Sequence, residues 1–159
     1  MIEIIRSSLA QISVPRFYHT ERGFQGELVS KLNLELDKTG GGRVVVEQEY
    51  QKVIEQHGLR IRPDIIIHTP FEGSDFSNRR QGNYVVLELK LRATQKEAFE
   101  DFNKLEQMRE SLDYPLGIFV NINAKETFLK DYKKRTDIAL FSFAIRLEQD
   151  SVIISEFSS

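Results

Sequence analysis

The chain has 159 residues, no cysteine and a formal net charge of −2 at pH 7. This length suits a single domain, residues 1–159, with a hydrophobic core that needs no disulfides. The slight negative charge argues against a general affinity for polyanions and leaves only local basic patches to meet nucleic acid. Because we find no signal-peptide pattern and no apolar run near the ~20 residues that span a bilayer, we expect a cytoplasmic protein without a membrane partner.

The first half of the chain predicts a helix followed by two strands. Residues 1–14 fit either a short helix or an edge strand. Thr20 is a plausible helix N-cap, because apolar residues follow it at a spacing of four, namely Phe24, Leu28, Leu32 and Leu36. Residues 43–50 and 59–68 are predicted strands, and Pro63 inside the second predicts irregular pairing. Residues 70–83 predict a long mobile loop, a kind of segment that is often functional.

The second half alternates strands and helices. We predict a strand over 84–91, a helix over 94–112, a strand over 116–122, a short helix over 125–132, and strands over 138–147 and 152–157 joined by a turn. The predicted helix 94–112 carries an apolar stripe made of Phe99, Phe102, Leu105 and Leu112. This order fits an α/β fold in three αβα layers, with a mixed central sheet covered by helices on both faces.

The predicted strand 84–91 carries two charges in an apolar run. Its side chains alternate, so Val85, Leu87, Leu89 and Leu91 share one face of the sheet. Glu88 and Lys90 share the other face. Burying ions costs several kcal/mol each unless they are paired or bind a metal. The strand therefore holds either a structural ion pair or a functional site.

A second carboxylate, Asp64, follows Pro63 in the preceding predicted strand. It lies on the face opposite Ile65 and Ile67. If the two strands are neighbours with Asp64 near Glu88, two carboxylates converge and could bind a hard divalent cation such as Mg²⁺. Such a cation activates a water molecule and neutralises charge on a phosphoryl oxygen, while Lys90 would hold or deprotonate the attacking water.

Pro63-Asp64 followed by Glu88-Leu89-Lys90 resembles the PD-(D/E)XK phosphodiesterase superfamily, which includes restriction endonucleases, Holliday-junction resolvases and RecB-type nucleases. The resemblance implies a restriction-endonuclease-like α-β-β-β-α-β core, an order that residues 20–122 match. It implies Asp64 and Glu88 as metal ligands and Lys90 as the catalytic lysine. The implied activity is Mg²⁺-dependent hydrolysis of DNA, as an endonuclease or exonuclease, with Mn²⁺ able to substitute. A homodimer that cuts two strands is compatible with this activity.

Many members of the superfamily add an acidic residue from the first helix. Glu21 is preferred here as a third metal ligand and catalytic residue, because it projects into the apolar stripe of that helix. Glu27 lies off the stripe and is spaced to pair with Lys31. Gln25 also faces the stripe, so the three alternatives stay open. His19, beside the predicted cap, could assist at the same edge.

Other polar residues are weaker candidates. Gln25, Arg79, Arg80 and Gln107 are predicted contacts to DNA. We expect Asp101 and Lys104 to form the solvated flank of their helix, His57 and His68 to be surface or strand-end residues, and residues 133–135 to be solvated charge. The alternative function is a nuclease-fold module that binds nucleic acid or a protein partner without catalysis, with Glu88 and Lys90 as a simple surface or cross-strand pair.

Overall fold

A mixed sheet lies at the centre of the computed structural model, which describes residues 1–40, 42–48, 62–71, 76–78 and 80–159. Within these residues the sheet has six strands in sequence order: β1 (Val45–Gln48), β2 (Ile65–His68), β3 (Asn83–Leu91), β4 (Leu116–Ile122), β5 (Ala139–Glu148) and β6 (Ser151–Ser158). β3, β4 and β5 are parallel, whereas the other neighbours are antiparallel. The prediction of an α/β fold with a mixed sheet is confirmed.

Three α-helices cover the sheet in the described part of the chain: α1 (Ile2–Ala10), α2 (Glu21–Lys38) and α3 (Gln95–Leu112). α1 and α2 share a core with one face of the sheet, where Phe24 and Leu28 pack with Leu87 and Leu89. α3 covers the other face, where Phe102 joins Ile66, Val86 and Phe119 in a second core. The expected three αβα layers are therefore present, and residues 1–14, left open by the sequence, begin with a helix.

The first long helix begins at the predicted cap, Thr20, and the second begins directly after Thr94, where its predicted range starts. The Thr20 side chain accepts a hydrogen bond from the Gly23 backbone at 3.1 Å. Thr94 and Glu97 form a reciprocal capping box at the start of α3. β5 and β6 are joined through Gln149 and Asp150, which both have positive φ, as a tight hairpin requires. No helix among the described residues is both long enough and apolar enough to cross a membrane.

The predicted helix over 125–132 is wrong. Only Leu129–Asp131 forms a single 3₁₀ turn, preceded by Phe128 at a φ of 57°. The buried Asn121 side chain holds this segment as a loop, because its amide donates to the Glu126 carbonyl at 2.9 Å. Its oxygen accepts from the Ala93 backbone at 2.8 Å. The two hydrogen bonds of this buried side chain thus override the local helical preference.

The first two strands are shorter than predicted. β2 begins only at Ile65, so Pro63 and Asp64 precede the strand, and its pairing with β3 shifts register between Ile67 and His68. This shift lies at the end of β2 away from Pro63, and the prediction of irregular pairing near the proline stays a prediction. Residues 49–50 and 59–61 of the predicted strands, and residues 72–75 and 79 of the predicted loop, lie outside the described residues.

Candidate active site

Asp64 and Glu88 lie next to each other in the structure. β2 and β3 are antiparallel with Ile65 paired to Leu87, so the residue before Ile65 lies beside the residue after Leu87. Ile66 and Val86 both face α3. Since side chains alternate along a strand, Glu88 projects to the same α3 face, where the charge of Asp64 acts on it directly. The two carboxyl groups that the sequence singles out are therefore neighbours at the point where β2 begins beside β3.

The open edge of β3 orients two of the candidate carboxylates. β2 pairs with β3 only as far as Leu87, so the next two amides on that edge lie beyond the end of β2. The Leu89 amide donates to Asp64 Oδ2 at 2.7 Å, and the Leu91 amide donates to Glu21 Oε2 at 3.2 Å. Each carboxylate thus takes the place of a strand partner, and its position relative to β3 is defined by a charge-assisted hydrogen bond.

Gln25 has a structural role that differs from the predicted contact to DNA. Its side chain is 4% exposed, and its amide nitrogen donates to the Asp64 carbonyl at 2.7 Å. α2 therefore holds the backbone of Asp64 from one side while the Leu89 amide holds its carboxylate from the other. Gln25 acts on the site through Asp64, because burial keeps its amide away from a ligand in solvent.

Of the two acidic candidates on α2, the structure brings Glu21 to the site. Glu21 Oε2 lies 3.9 Å from Lys90 Nζ. Glu27 instead forms an ion pair with Lys31 at 3.2 Å, as its spacing predicted. The side chain of Lys90 is 33% exposed, so its ammonium group can reach a ligand in solvent.

Asp101 and Lys104 correct the expectation of a solvated flank on α3. Asp101 is 1% exposed, and Lys104 Nζ lies 3.8 Å from Glu88 Oε2. The missed signal is the spacing of Asp101, which lies three residues after the buried Ala98 and four before the buried Leu105. That spacing places it on the core face of α3, above Glu88.

Burial and neighbouring charges shift the pKa values of these groups. Burial, followed by the charge of Asp64, raises the pKa of Glu88 well above its ordinary value. Burial also raises the pKa of Asp64, although the Leu89 amide opposes the shift. For Lys104, burial alone would lower the pKa, but the hydrogen bond to Asp101 and the charge of Glu88 raise it. Glu88 therefore binds its proton more tightly than an exposed carboxyl group.

The site has the donor chemistry that a hard divalent cation requires. Among the described residues, Glu21, Asp64, Glu88 and Asp101 supply four carboxyl groups, and Lys90 and Lys104 supply two ammonium groups. Glu88 Oε1 and Asp101 Oδ2 are buried and accept no hydrogen bond from the described residues. No group of three or more potential metal-binding side chains occurs within that part of the chain. The adjacent pair of Asp64 and Glu88 offers two carboxyl groups, and Mg²⁺ sites in proteins use one or two carboxylates.

Two of the remaining predicted DNA contacts belong to the described residues. Gln107 is exposed on α3 and Arg80 is exposed in the segment before β3. Arg79 and His57 lie outside the described residues.

The other histidines and the basic run at 133–135 have structural surroundings. His68, at the end of β2, lies 3.0 Å from Glu47, and His19 is exposed at the end of a 3₁₀ helix. Lys134 donates to the backbone carbonyls of Ile138 and Ser159. Lys133 and Arg135 line a cleft of about 640 Å³ on the flank of α3 that faces this run. None of the candidate catalytic residues lines that cleft.

Comparisons with known proteins support the fold. No protein-family model matches the chain, and no curated protein is significantly similar to it. Among solved structures it is similar to NucC of P. aeruginosa ATCC27853 in its cAAA-bound form, with 12% sequence identity and a TM-score of 0.52. The match covers 98% of this chain and 81% of that one. NucC is a nuclease of the PD-(D/E)XK type. The likeness shows that the chain shares the α/β fold of NucC.

The raised pKa of Glu88 predicts a pH-dependent cost of ionising this carboxyl group. The folded-state pKa of Glu88 exceeds the ordinary value of 4.5, so protonated Glu88 stabilises the folded protein fully below about pH 4.5. This stabilisation is lost as the pH rises through the folded-state pKa. The loss amounts to about 1.4 kcal/mol for each unit between the two pKa values. The glutamine of Glu88→Gln cannot ionise, so this variant does not lose stability as the pH rises. We therefore expect its free energy of unfolding to be higher than that of wild type at about pH 8, and the difference to become smaller toward about pH 4.

Denaturant unfolding in metal-free buffer across this pH range measures the effect. Glu100→Gln is the control, because Glu100 is exposed on α3 and pairs only loosely with Lys96 at 4.0 Å. Its unfolding should follow the pH dependence of wild type. A margin for Glu88→Gln that is constant with pH would mean that Glu88 does not hold its proton more tightly in the folded protein.

Proposed function

We propose that the protein is a metal-dependent phosphodiesterase that hydrolyses DNA, with Asp64, Glu88 and Lys90 as its central catalytic residues. The observation that carries this proposal is the pair of adjacent carboxyl groups, Glu88 buried and Asp64 half-buried, beside the accessible ammonium group of Lys90. Carboxylate oxygens are the donors that a hard divalent cation prefers.

Asp64 and Glu88 would hold Mg²⁺, or Mn²⁺ in its place, and Glu21 would support it from the start of α2. When bound, the cation supplies Lewis-acid stabilisation of the phosphoryl oxygens and a more acidic water molecule. Glu88 must release its proton to become a ligand, so a rise in pH favours the binding-competent form. The hydrogen bond from Leu89 and the contact from Gln25 orient Asp64 before any ligand arrives.

Lys90 would act on the attacking water molecule. It is two residues beyond Glu88 on the same face of β3, and Glu21 lies 3.9 Å away as a counter-ion. In this position the ammonium group would align the water and stabilise negative charge that builds on the phosphoryl oxygens during attack. Lys90 would therefore stabilise the transition state, whereas the carboxylates would bind the cation.

Three considerations favour DNA as the substrate. The chain resembles PD-(D/E)XK enzymes at Pro63-Asp64 and Glu88-Leu89-Lys90, and it shares a fold with the nuclease NucC. Gln107 and Arg80 are exposed and could contact phosphate groups. A homodimer would allow both strands of a duplex to be cut.

The direct test is incubation of the purified protein with DNA in Mg²⁺, in Mn²⁺ and in excess chelator. We expect cleavage with either metal and none with chelator. Covalently closed circular DNA and linear DNA, each as a single strand and as a duplex, separate an endonuclease from an exonuclease, because only the latter requires an end. Absence of cleavage on all of these substrates in both metals would contradict the proposal.

Variants on α2 provide a matched internal control for this assay. Glu21→Gln removes the carboxylate near Lys90, whereas Glu27→Gln removes an equivalent carboxylate that pairs with Lys31. We expect Glu21→Gln to lower the cleavage rate by ~10-fold or more, as for a second-layer metal-site residue, and Glu27→Gln to cleave like wild type. Equal rates for the two variants would remove Glu21 from the site.

A further inference from the structure

Asp101 and Lys104 form an ion pair directly against Glu88. They are three residues apart on α3, and Lys104 Nζ lies 2.5 Å from Asp101 Oδ1 and 3.8 Å from Glu88 Oε2. Both carboxylates are almost fully buried, at 1% exposure for Asp101 and 4% for Glu88. The Lys104 ammonium is therefore the positive charge that α3 contributes to Glu88.

This single ammonium leaves part of both carboxylates unsatisfied. Glu88 Oε1 and Asp101 Oδ2 are buried without a hydrogen-bond partner among the described residues. A buried charged oxygen without a partner is costly, and the cost is greatest in a low-dielectric surrounding. Two such atoms on neighbouring side chains indicate a site that is completed by a further positive charge.

The geometry allows Lys104 to move without losing its partner. Its ammonium group is closer to Asp101 than to Glu88, so displacement away from Glu88 preserves the shorter contact. The Lys104 side chain is 42% exposed, and its flexible four-carbon stem gives it room to turn toward solvent. The Asp101 side chain is almost fully buried and has no comparable freedom.

We propose that Lys104 is the resident counter-cation of Glu88, which a divalent metal ion displaces, and that Asp101 is the positioning residue that holds the displaced ammonium beside the site. This inference rests on the proposed metal site at Asp64 and Glu88. Asp101 is not a metal ligand in this arrangement, in agreement with the absence of a three-residue ligand group within the described part of the chain. The pair would tune metal affinity, because the cation must compete with Lys104 for Glu88.

The test is calorimetric titration with Mn²⁺ in the absence of DNA. It compares one variant expected to raise Mn²⁺ affinity with one expected to lower it. Lys104→Met removes the competing charge and should tighten Mn²⁺ binding by ~10-fold or more. Asp101→Asn removes the acceptor, so the ammonium shifts toward Glu88 and binding should weaken by ~10-fold or more. Lys96→Met is the control, because Lys96 lies on the same helix with its side chain 87% exposed, and it should bind like wild type.

Lys104→Met leaves the buried Asp101 carboxylate without its ion-pair partner, which could prevent folding. A double variant avoids this difficulty. Asp101→Asn with Lys104→Met removes both charges and the competitor, so it should bind Mn²⁺ more tightly than wild type. The inference is overturned if both single variants weaken Mn²⁺ binding. It is also overturned if both bind Mn²⁺ like wild type while Asp64→Asn loses binding, and the proposed metal site is then supported without a role for Lys104. If folded wild-type protein binds no Mn²⁺, the proposed site and this inference both fall.

Discussion

Lys90→Ala should reduce the rate of DNA cleavage by at least ~10²-fold, the usual size of a lost electrostatic or proton-transfer contribution. The reason is that charge builds on the phosphoryl oxygens, and the attacking water must be aligned, mainly in the transition state. The ground-state complex gains less from the ammonium group. DNA affinity should therefore stay within about tenfold of wild type, or ~1.4 kcal/mol.

The measurement needs cleavage and binding to be separated. Single-turnover cleavage in Mg²⁺ gives the first, and DNA binding in Ca²⁺, a hard oxygen-binding cation used as a substitute for Mg²⁺, gives the second. Lys31→Ala is the matched control, because Lys31 is also a partly exposed lysine paired with a glutamate of α2. Its cleavage rate should equal that of wild type. A wild-type rate for Lys90→Ala would show that Glu88 and Lys90 are a structural pair and would favour a binding role for the protein.

Asp64→Asn should abolish metal binding while the fold is retained. The asparagine oxygen can still accept the hydrogen bond from Leu89, and Gln25 still contacts the backbone carbonyl. The amide has no charge to offer a divalent cation, so we expect Mn²⁺ affinity to fall by at least ~100-fold. Removal of a residue that only hydrogen-bonds to a metal ligand costs up to about 100-fold, and loss of a ligand itself should cost at least as much. Cleavage should fall with it.

Thermal unfolding with and without Mn²⁺ distinguishes loss of the site from loss of the fold. Metal-free Asp64→Asn should unfold at or above the wild-type temperature, because the charge of Asp64 disfavours the ionised form of Glu88. Wild type should be stabilised further by Mn²⁺, and the variant should not. Asp37→Asn, which changes an exposed carboxylate on α2, should respond to Mn²⁺ like wild type. Full stabilisation of Asp64→Asn by Mn²⁺ would remove Asp64 from the proposed ligands.

The sequence by itself determined the main helices, the later strands and the residues at the centre of the proposed site. Thr20 and Thr94 mark the starts of α2 and α3, because a cap depends on residues three positions away along the chain. The alternation along β3 assigns Glu88 and Lys90 to one face. These features are local, so a periodic pattern or a short motif is sufficient to predict them.

Only the tertiary structure decided how distant residues meet. The Asp64 and Glu21 carboxylates bind amides at the edge of β3 because β2 begins as late as Ile65, a boundary that propensity did not predict. Lys104 lies against Glu88 because α3 crosses the sheet at that point. The segment after β4 is a loop because Asn121 binds its backbone. The contacts of Asp64, Glu21 and Lys104 join elements that are far apart in sequence, and their positions follow from packing across the two cores rather than from any local preference.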